Sequence, residues 1–262
     1  MESAGWRAGW VWLGALTLAL LLPLALFVRR SPEDVGLLPD GAASPAYRAL
    51  LGARGADQEH SATVGEALRS PTLWLLTLAT GVGLFSMSTN ASSMVPYFES
   101  VGFTPAVAAS GLAVYGAFST ASRFIWGYVA DRLTVRRAIV LQSVLTAGGV
   151  ALQLGVGNQT ALFLIVAYHG LMLGGFVVLQ PLIWPEYFGR RSLGAITGVT
   201  QFFTTFVLAA GPVFAGAIFD ATDAYLWAYR TLVGTWLLTA LLMVAVKPSR
   251  ARSVVKAASA AP

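Results

Sequence analysis

Cysteine is absent from this chain of 262 residues, which excludes disulfides, thiolate nucleophiles and cysteine-based metal sites. Lysine is nearly absent, because the only two, Lys247 and Lys256, lie beyond the last apolar segment. A retinal-binding membrane protein needs a lysine in its last helix, so that class is excluded too. Paired aspartates within apolar segments and a His-Glu-x-x-His motif are also missing from the sequence. The sequence predicts no enzyme, no metal site and no cofactor.

Charge is scarce as well, since charged residues make up 11% of the chain, against roughly 25% in soluble domains. Hydrophobic residues make up 56%, and the mean hydropathy is +0.68. Crossing roughly 30 Å of hydrocarbon takes about 20 apolar residues. Seven segments meet this requirement and predict an all-α membrane protein with seven transmembrane helices. The predicted spans are residues 8–28, 71–96, 106–129, 138–157, 160–184, 193–218 and 225–246.

The basic residues predict the orientation in the membrane. Of the 17 lysines and arginines, all but Arg7, Arg123 and Arg230 fall in loops on one side of the predicted spans or in the C-terminal tail. By the positive-inside rule, that side and the C-terminus are cytoplasmic. The net charge of +5 does not indicate nucleic-acid binding, because the basic residues form no continuous patch with interleaved aromatics.

The spans define four regions. Residues 1–28 hold the first transmembrane helix, 29–70 a polar cytoplasmic linker, 71–246 a six-helix bundle and 247–262 a cytoplasmic tail. A secretory signal peptide is the alternative for the first span. Its apolar run of about 20 residues exceeds the usual 7–15 and ends in two arginines, which favours a retained helix.

Small residues in the spans predict close helix contacts. Gly170 and Gly174, like Gly194 and Gly198, are four residues apart and therefore share a helix face. Gly211 precedes a proline, which should loosen or bend the sixth span because proline lacks a backbone donor.

Arg123 is the residue that points most directly to a function. It lies eight residues before Asp131, or about 12 Å along a helix, and so close to the middle of the bilayer. A guanidinium at that depth is costly and usually marks a substrate or ion pathway. Snorkelling towards the interface, or pairing with Asp131 through an intervening group, is the structural alternative.

The segment after Arg123 reads Gly127-Tyr-Val-Ala-Asp131-Arg132-Leu-Thr-Val-Arg136-Arg137. It resembles the cytoplasmic loop signature that the major facilitator superfamily carries between helices 2 and 3 and repeats more loosely between helices 8 and 9. Thr134 replaces the usual second glycine, which favours the second copy.

Further segments resemble bacterial permeases related to the monocarboxylate transporters and oxalate/formate antiporters. They are Gly5-Trp6-Arg7, the run that begins Arg29-Arg30-Ser-Pro32-Glu33-Asp34, and Pro185-Glu186-Tyr187-Phe188-Gly189. The resemblance implies that the seven spans correspond to helices 6 to 12 of a twelve-helix fold. The expected partners are then the lipid bilayer and a missing N-terminal half, or another copy of the chain. A truncated or mis-started reading frame and a genuine half-transporter are both compatible with the sequence.

In the resembling families, an arginine in helix 8 binds the substrate carboxylate, which implies this role for Arg123. Two departures from the pattern of these families narrow the range of substrates to expect. Ser119 stands where the monocarboxylate group often has an aspartate for proton coupling, and the sixth span lacks the lysine of the oxalate antiporters. A monovalent organic anion is therefore expected rather than a dicarboxylate.

Other polar residues lie at a similar depth in the predicted spans. His169 is a candidate for accepting a coupling proton or hydrogen-bonding the substrate, with a histidine satisfied by a neighbouring helix as the alternative. Gln201 is a candidate pore-lining donor, and Asn90, Ser86 and Tyr115 are further polar positions.

The loop signature implies gating. In the family its aspartate pairs with basic residues and a helix end, which assigns Asp131, Arg132, Arg136 and Gly127 to a cytoplasmic gate. The alternative is that the arginines only set the topology.

The sequence therefore predicts transport of a small organic anion by alternating access, with a proton as candidate coupling ion, in the inner membrane of a bacterium. One alternative is a non-transporting half that acts as a membrane interaction protein. The other is a permease for a neutral or drug-like solute.

Overall fold

The computed structural model describes residues 5–27, 62–189 and 192–247. Every regular element within these ranges is a helix, which confirms the predicted all-α fold. The helices are α1 (Gly5–Phe27), α2 (Val64–Arg69), α3 (Pro71–Ser100), α4 (Pro105–Arg132), α5 (Val135–Gln153), α6 (Gln159–Phe188), α7 (Leu193–Thr222) and α8 (Leu226–Ala245). Most of the predicted linker, residues 29–61, and the tail from residue 248 lie outside the described residues.

The chain divides into two units, residues 1–56 and 57–262. In the first unit, α1 is a helix of 23 residues that matches the predicted first span and contains Pro23. Its side chains are almost all apolar and exposed from Gly9 to Phe27. A helix that is hydrophobic all round suits lipid or other apolar surroundings.

Six of the described helices are long and apolar enough to cross a membrane, namely α1, α3, α5, α6, α7 and α8. The third predicted span, residues 106–129, forms the 28-residue helix α4, which is long enough but is not among the six. Serines, threonine and Arg123 interrupt its apolar sequence and lower its hydropathy. The helix prediction is therefore confirmed for α4, but its composition is more polar than that of the other spans.

Side chains and prolines explain where the helices of the second unit begin. Thr104, Thr134 and Asn158 each accept a hydrogen bond from a backbone N–H of the first turn of α4, α5 and α6, respectively. Pro71 and Pro105 occupy the first position of α3 and α4, where no N–H donor is needed. Thr134, which departs from the family's loop signature, thus has a local role as the cap of α5.

The C-terminal end of the predicted linker forms the short helix α2. Thr63 and Glu66 form a reciprocal capping box at the start of α2. Hydrogen bonds from the Thr63 backbone and hydroxyl lower the pKa of the Glu66 carboxyl. The Ala62 N–H donates to the carbonyl of Phe188 at 3.1 Å, which places α2 at the end of the bundle where α6 finishes.

The six long helices of the second unit pack in a definite order. α4 packs chiefly against α6, α6 also against α5, α5 against α8, α8 against α3, and α3 against α7. α4 and α7 are therefore the two edge helices, each with one principal neighbour. They also have the fewest buried residues among the long helices of this unit. The largest fully buried side chains are Trp236, Tyr97, Tyr229, Phe98 and Phe176.

One of the two predicted glycine faces forms a helix contact. A side-chain atom at Gly170 would meet the backbone of Tyr115, and one at Gly174 would meet Ser119 and Ser122. The prediction is confirmed for this pair, which lets α4 approach α6 closely. Gly194 and Gly198 face no atom within 4 Å in the structure, so their identical spacing marks no contact there.

The Gly211-Pro212 pair lies inside α7, which is nevertheless a continuous helix from Leu193 to Thr222. Pro212 lacks the N–H that would bond the carbonyl of Leu208. The hydroxyl of Ser88 on α3 donates to that carbonyl at 2.7 Å instead. Gly211 is buried against Ser88 and Thr89, which brings α3 close enough to do so.

Candidate functional site

The two faces of α4 have different surroundings. One face packs on α6 through Ser122 and Trp126, both buried, and the indole of Trp126 donates to the carbonyl of Leu171 at 2.9 Å. Ser119 is partly buried on the same side, where its backbone meets Gly174. This contact fixes the rotation of α4, so its opposite face points away from the bundle.

Arg123 lies one turn beyond Ser119, at the border between the packed face and this open face. Its side chain is exposed, as is that of the neighbouring Phe124, which is 84% exposed. Arg123 precedes the end of α4 at Arg132 by nine residues, or about 13 Å of helix, which is nearly half of a roughly 30 Å hydrocarbon core. The residues one turn away on either side are Ser119, Thr120, Trp126 and Gly127, and none of them is a carboxylate.

Three of the predicted site residues come together elsewhere, between α3, α4 and α6. The amide of Asn90 lies beside the hydroxyl of Tyr115. The Tyr115 ring meets the ring of His169 edge to face, with 5.5 Å between the centroids. His169 is fully buried, and its Nδ1 contacts the side-chain nitrogen of Gln153 on α5.

Four residues that sequence reasoning missed extend this group: Tyr97, Gln153, Tyr229 and Ser93, whose side chain lies beside the Tyr229 hydroxyl. The rings of Tyr97 and Tyr229 stack with 3.8 Å between centroids, and the Tyr97 hydroxyl donates to the carbonyl of Gln153 at 3.0 Å. We call the seven residues Asn90, Ser93, Tyr97, Tyr115, Gln153, His169 and Tyr229 the polar cluster. Depth along the helices does not identify Gln153 and Tyr229, because Gln153 is the last residue of α5 and Tyr229 lies in the first turn of α8.

Several buried atoms of the polar cluster have no hydrogen-bond partner among the described residues. They are both amide atoms of Asn90, Oε1 of Gln153, Nε2 of His169 and the hydroxyl of Tyr229. Buried polar atoms normally form hydrogen bonds with protein or with water. Each of these atoms is therefore available for a hydrogen bond with water or a ligand.

Arg123 and Gln201 stand apart from the polar cluster. Tyr115 and Arg123 are eight residues apart on α4, which corresponds to about 12 Å along the helix axis. Gln201 is exposed on the other edge helix, α7, eight residues from its start at Leu193. Both residues therefore lie at a similar depth from the same end of the bundle.

That end of the bundle carries the predicted gating residues. Glu186 of α6 accepts a hydrogen bond from the Val135 N–H at 3.1 Å, which adds a carboxylate to the start of α5. Arg136 donates to the carbonyls of Val244 and Val246 at 3.3 and 2.5 Å, respectively. These contacts link the ends of α5, α6 and α8.

The remaining gating candidates lie on or beside the end of α4. Asp131 is exposed, and the guanidinium of Arg132 lies 4.9 Å from the centre of the Tyr128 ring. Gly127 is partly buried, but no atom lies within 4 Å of the position that a side chain would occupy. The structure therefore places Arg136 at a helix end and leaves Asp131 at the surface.

Long apolar helices with charged ends and an internal polar cluster define a polytopic membrane protein. Residues 76–261 match the sequence profile of the Major Facilitator Superfamily. This match covers well over half of the chain, which therefore belongs to the Major Facilitator Superfamily.

Two curated relatives are described as transporters. The chain is 28% identical over 159 residues to the uncharacterized transporter YycB of Bacillus subtilis, covering 60% of this chain and 39% of YycB. It is 20% identical over 206 residues to the uncharacterized MFS-type transporter YhjX of Escherichia coli, covering 76% of this chain and 46% of YhjX. The chain thus spans less than half the length of these relatives.

Proposed function

We propose that this chain is part of a secondary transporter that moves a small organic anion by alternating access, with Arg123 as the substrate anchor. The observation that carries the proposal is the exposure of Arg123 at mid-depth on α4, beside its open face. A guanidinium facing lipid at the bilayer centre costs about 2.5–3.5 kcal/mol on insertion scales. A water-filled pathway, or further protein beside α4, would avoid that cost.

The surroundings of Arg123 favour an anion as the ligand. Because no carboxylate lies one turn away on α4, the charge of Arg123 is not neutralised by its own helix. A planar guanidinium binds a carboxylate with two parallel hydrogen bonds and stays protonated at any working pH. The substrate would supply the missing negative charge, and a single cation at this depth suits a monovalent anion.

We assign supporting roles to the other candidates. Gln201, at a similar depth on the second edge helix, would donate to the substrate, and Ser119 would line the same pathway one turn from Arg123. Asn90 and His169 would bind through their unpartnered atoms, and Tyr115 would bind through its hydroxyl beside Asn90. His169 is also our candidate for binding a coupling proton, because its Nε2 has no hydrogen-bond partner among the described residues.

The linked ends of α5, α6 and α8 support a gate at the basic end of the bundle. Arg136 would hold the closed arrangement through the carbonyls of α8. Asp131, Arg132 and Gly127 would form or break contacts as α4 moves. Following the positive-inside rule, we assign this end and the C-terminus to the cytoplasm. We assign the protein to the inner membrane of a bacterium. A second six-helix half, or another copy of the chain, would cover α4 and α7.

Uptake of labelled monocarboxylates tests the anchor role in cells that produce the chain within its complete reading frame. We expect Arg123→Gln to lower uptake about 10- to 100-fold, because a charged hydrogen bond contributes about 1.5–3 kcal/mol. Uptake by the Arg123→Lys variant should lie between that of the Arg123→Gln variant and that of the unmodified protein, since lysine keeps the charge but lacks the planar guanidinium. Arg230→Gln, at an exposed arginine stacked on Trp227 at the other end of the bundle, is the matched control.

The results separate the alternatives. Unchanged anion uptake in the Arg123→Gln variant would reject the anchor role. Uptake of a neutral solute that does not depend on Arg123 would indicate the neutral or drug-like permease.

A membrane interaction protein is the second candidate function, favoured by the open aromatic faces of the edge helices. Phe124 on α4, together with Phe202 and Phe206 on α7, is more than 60% exposed. Stable insertion of the complete protein with no transport of any tested solute, but with capture of a membrane partner that depends on these phenylalanines, would support this function.

A further inference from the structure

A groove lies on the outer surface of the bundle between the start of α5 and the end of α8. Its volume is about 310 Å³, and its lining consists of Arg136, Arg137, Val140, Leu141, Val144 and Val244. Leu141, Val144 and Val244 are 44%, 46% and 59% exposed, respectively, so apolar surface is open to the surroundings.

The lining changes from charged to apolar along the helix axis. Arg137, Leu141 and Val144 share one face of α5 at spacings of four and three, and Arg136 and Val140 form the adjoining row. From Arg137 to Val144, α5 rises about 10 Å. Cations therefore lie at the end of the bundle, and the apolar residues lie deeper, where hydrocarbon would be.

Side chains, not backbone amides, would provide the binding groups for an anion here. The Val135 N–H already donates to Glu186 at 3.1 Å, and the Arg137 N–H donates to the Thr134 hydroxyl at 3.2 Å. Arg136 uses Nη1 for its bonds to the carbonyls of Val244 and Val246, which fix the side chain. Among the described residues, Nη2 and Nε have no partner and stay available as donors.

We propose that this groove binds one anionic phospholipid, with its phosphate on Arg136 and Arg137 and an acyl chain along Val140, Val144 and Val244. Charge complementarity and the axial order of the lining both match a lipid, whose anionic headgroup lies outside its hydrocarbon. The basic end of the bundle is also the end that the positive-inside rule places in the cytoplasmic leaflet, where anionic lipids attract basic residues. A free phosphate would leave the apolar part of the groove unused.

Native mass spectrometry of the detergent-purified chain tests the proposal, with phosphatidylglycerol and phosphatidylcholine as probes. We expect the unmodified protein to retain phosphatidylglycerol in preference to phosphatidylcholine. Arg137→Gln should weaken phosphatidylglycerol retention about fivefold, which corresponds to one basic residue near a membrane surface. This variant keeps the contacts of Arg136 with α8, so its fold should be unchanged. Arg230→Gln, at the opposite end, should retain the lipid fully.

Two further measurements test the contacts of the lipid headgroup and those of its acyl chain separately. Val144→Trp leaves both arginines in place but fills the groove, and it should also reduce phosphatidylglycerol retention. Inorganic phosphate should not displace the bound lipid at millimolar concentration. Equal retention of phosphatidylglycerol by the Arg137→Gln and Arg230→Gln variants, or displacement by phosphate alone, would overturn the proposal.

Discussion

At the residue scale, one hydroxyl compensates for a proline inside a long helix. The carbonyl of Leu208 loses its helical donor to Pro212 and receives the Ser88 hydroxyl instead. We expect Ser88→Ala to destabilise the bundle by about 0.6 kcal/mol, the average for interhelical hydrogen bonds in a membrane protein, and by no more than about 1.7 kcal/mol. Unfolding in mixed detergent micelles would measure this change.

The matched background for this prediction is Pro212→Ala, which restores an N–H opposite the Leu208 carbonyl. In that background, Ser88→Ala should lower the unfolding free energy by less than it does when Pro212 is present. An equal cost in both backgrounds would show that Ser88 contributes through packing and not through the carbonyl freed by proline.

The polar cluster shows what depth alone cannot predict. His169 is predicted from its distance along the helix, and the structure does place it at the centre of a buried group. Its contact with Gln153 depends on how α5 and α6 are rotated against each other, which the sequence of either helix does not specify. The same holds for Tyr115 and Arg123, which lie on one helix but face different surroundings.

At the scale of elements, a face of small residues positions α4 on α6. Gly174→Ala would force a methyl group into the backbone of Ser119, and we expect a loss of about 1–3 kcal/mol in unfolding free energy from overpacking. The same substitution at Gly198, where no atom lies within 4 Å, should be neutral or slightly stabilising because alanine favours helix. Comparing the unfolding free energies of the two variants in detergent measures the difference, and equal effects would contradict the assigned contact.

The two glycine pairs also show which helix contacts can be predicted from the sequence and which cannot. Both have the spacing of a helix contact, yet only Gly170 and Gly174 meet a neighbouring helix in the structure. Spacing predicts a small-residue face, but the presence of a partner depends on which helices become neighbours. Helix positions were easier to predict, because a run of about 20 apolar residues is set by bilayer thickness and not by packing.

At the scale of the whole molecule, charge is distributed unevenly between the two ends of the second unit. The end formed by α2 and the C-terminus of α8 carries Arg69, Arg132, Arg136, Arg137 and Lys247 among its described residues. The described residues of the other end include Glu99, Asp220 and Asp223 but only one arginine, Arg230. This asymmetry supports the predicted orientation, with the basic end in the cytoplasm.

Single cysteines would test that orientation directly, since the native chain has none. Gly157→Cys and Lys247→Cys place an exposed thiol at opposite ends of the second unit. In intact cells, a membrane-impermeant maleimide should label only the Gly157→Cys variant, and the Lys247→Cys variant should react after permeabilisation. The reverse pattern would invert the topology.

The position of α4 and α7 at the edges of the bundle also affects how stability is distributed. α3, α5, α6 and α8 each pack against two principal neighbours, whereas α4 and α7 each have one. Local opening costs least where few contacts must break, so the free energy of backbone opening should be lowest in these two helices. The helix that holds Arg123 is therefore also among the first whose backbone amides should exchange with solvent.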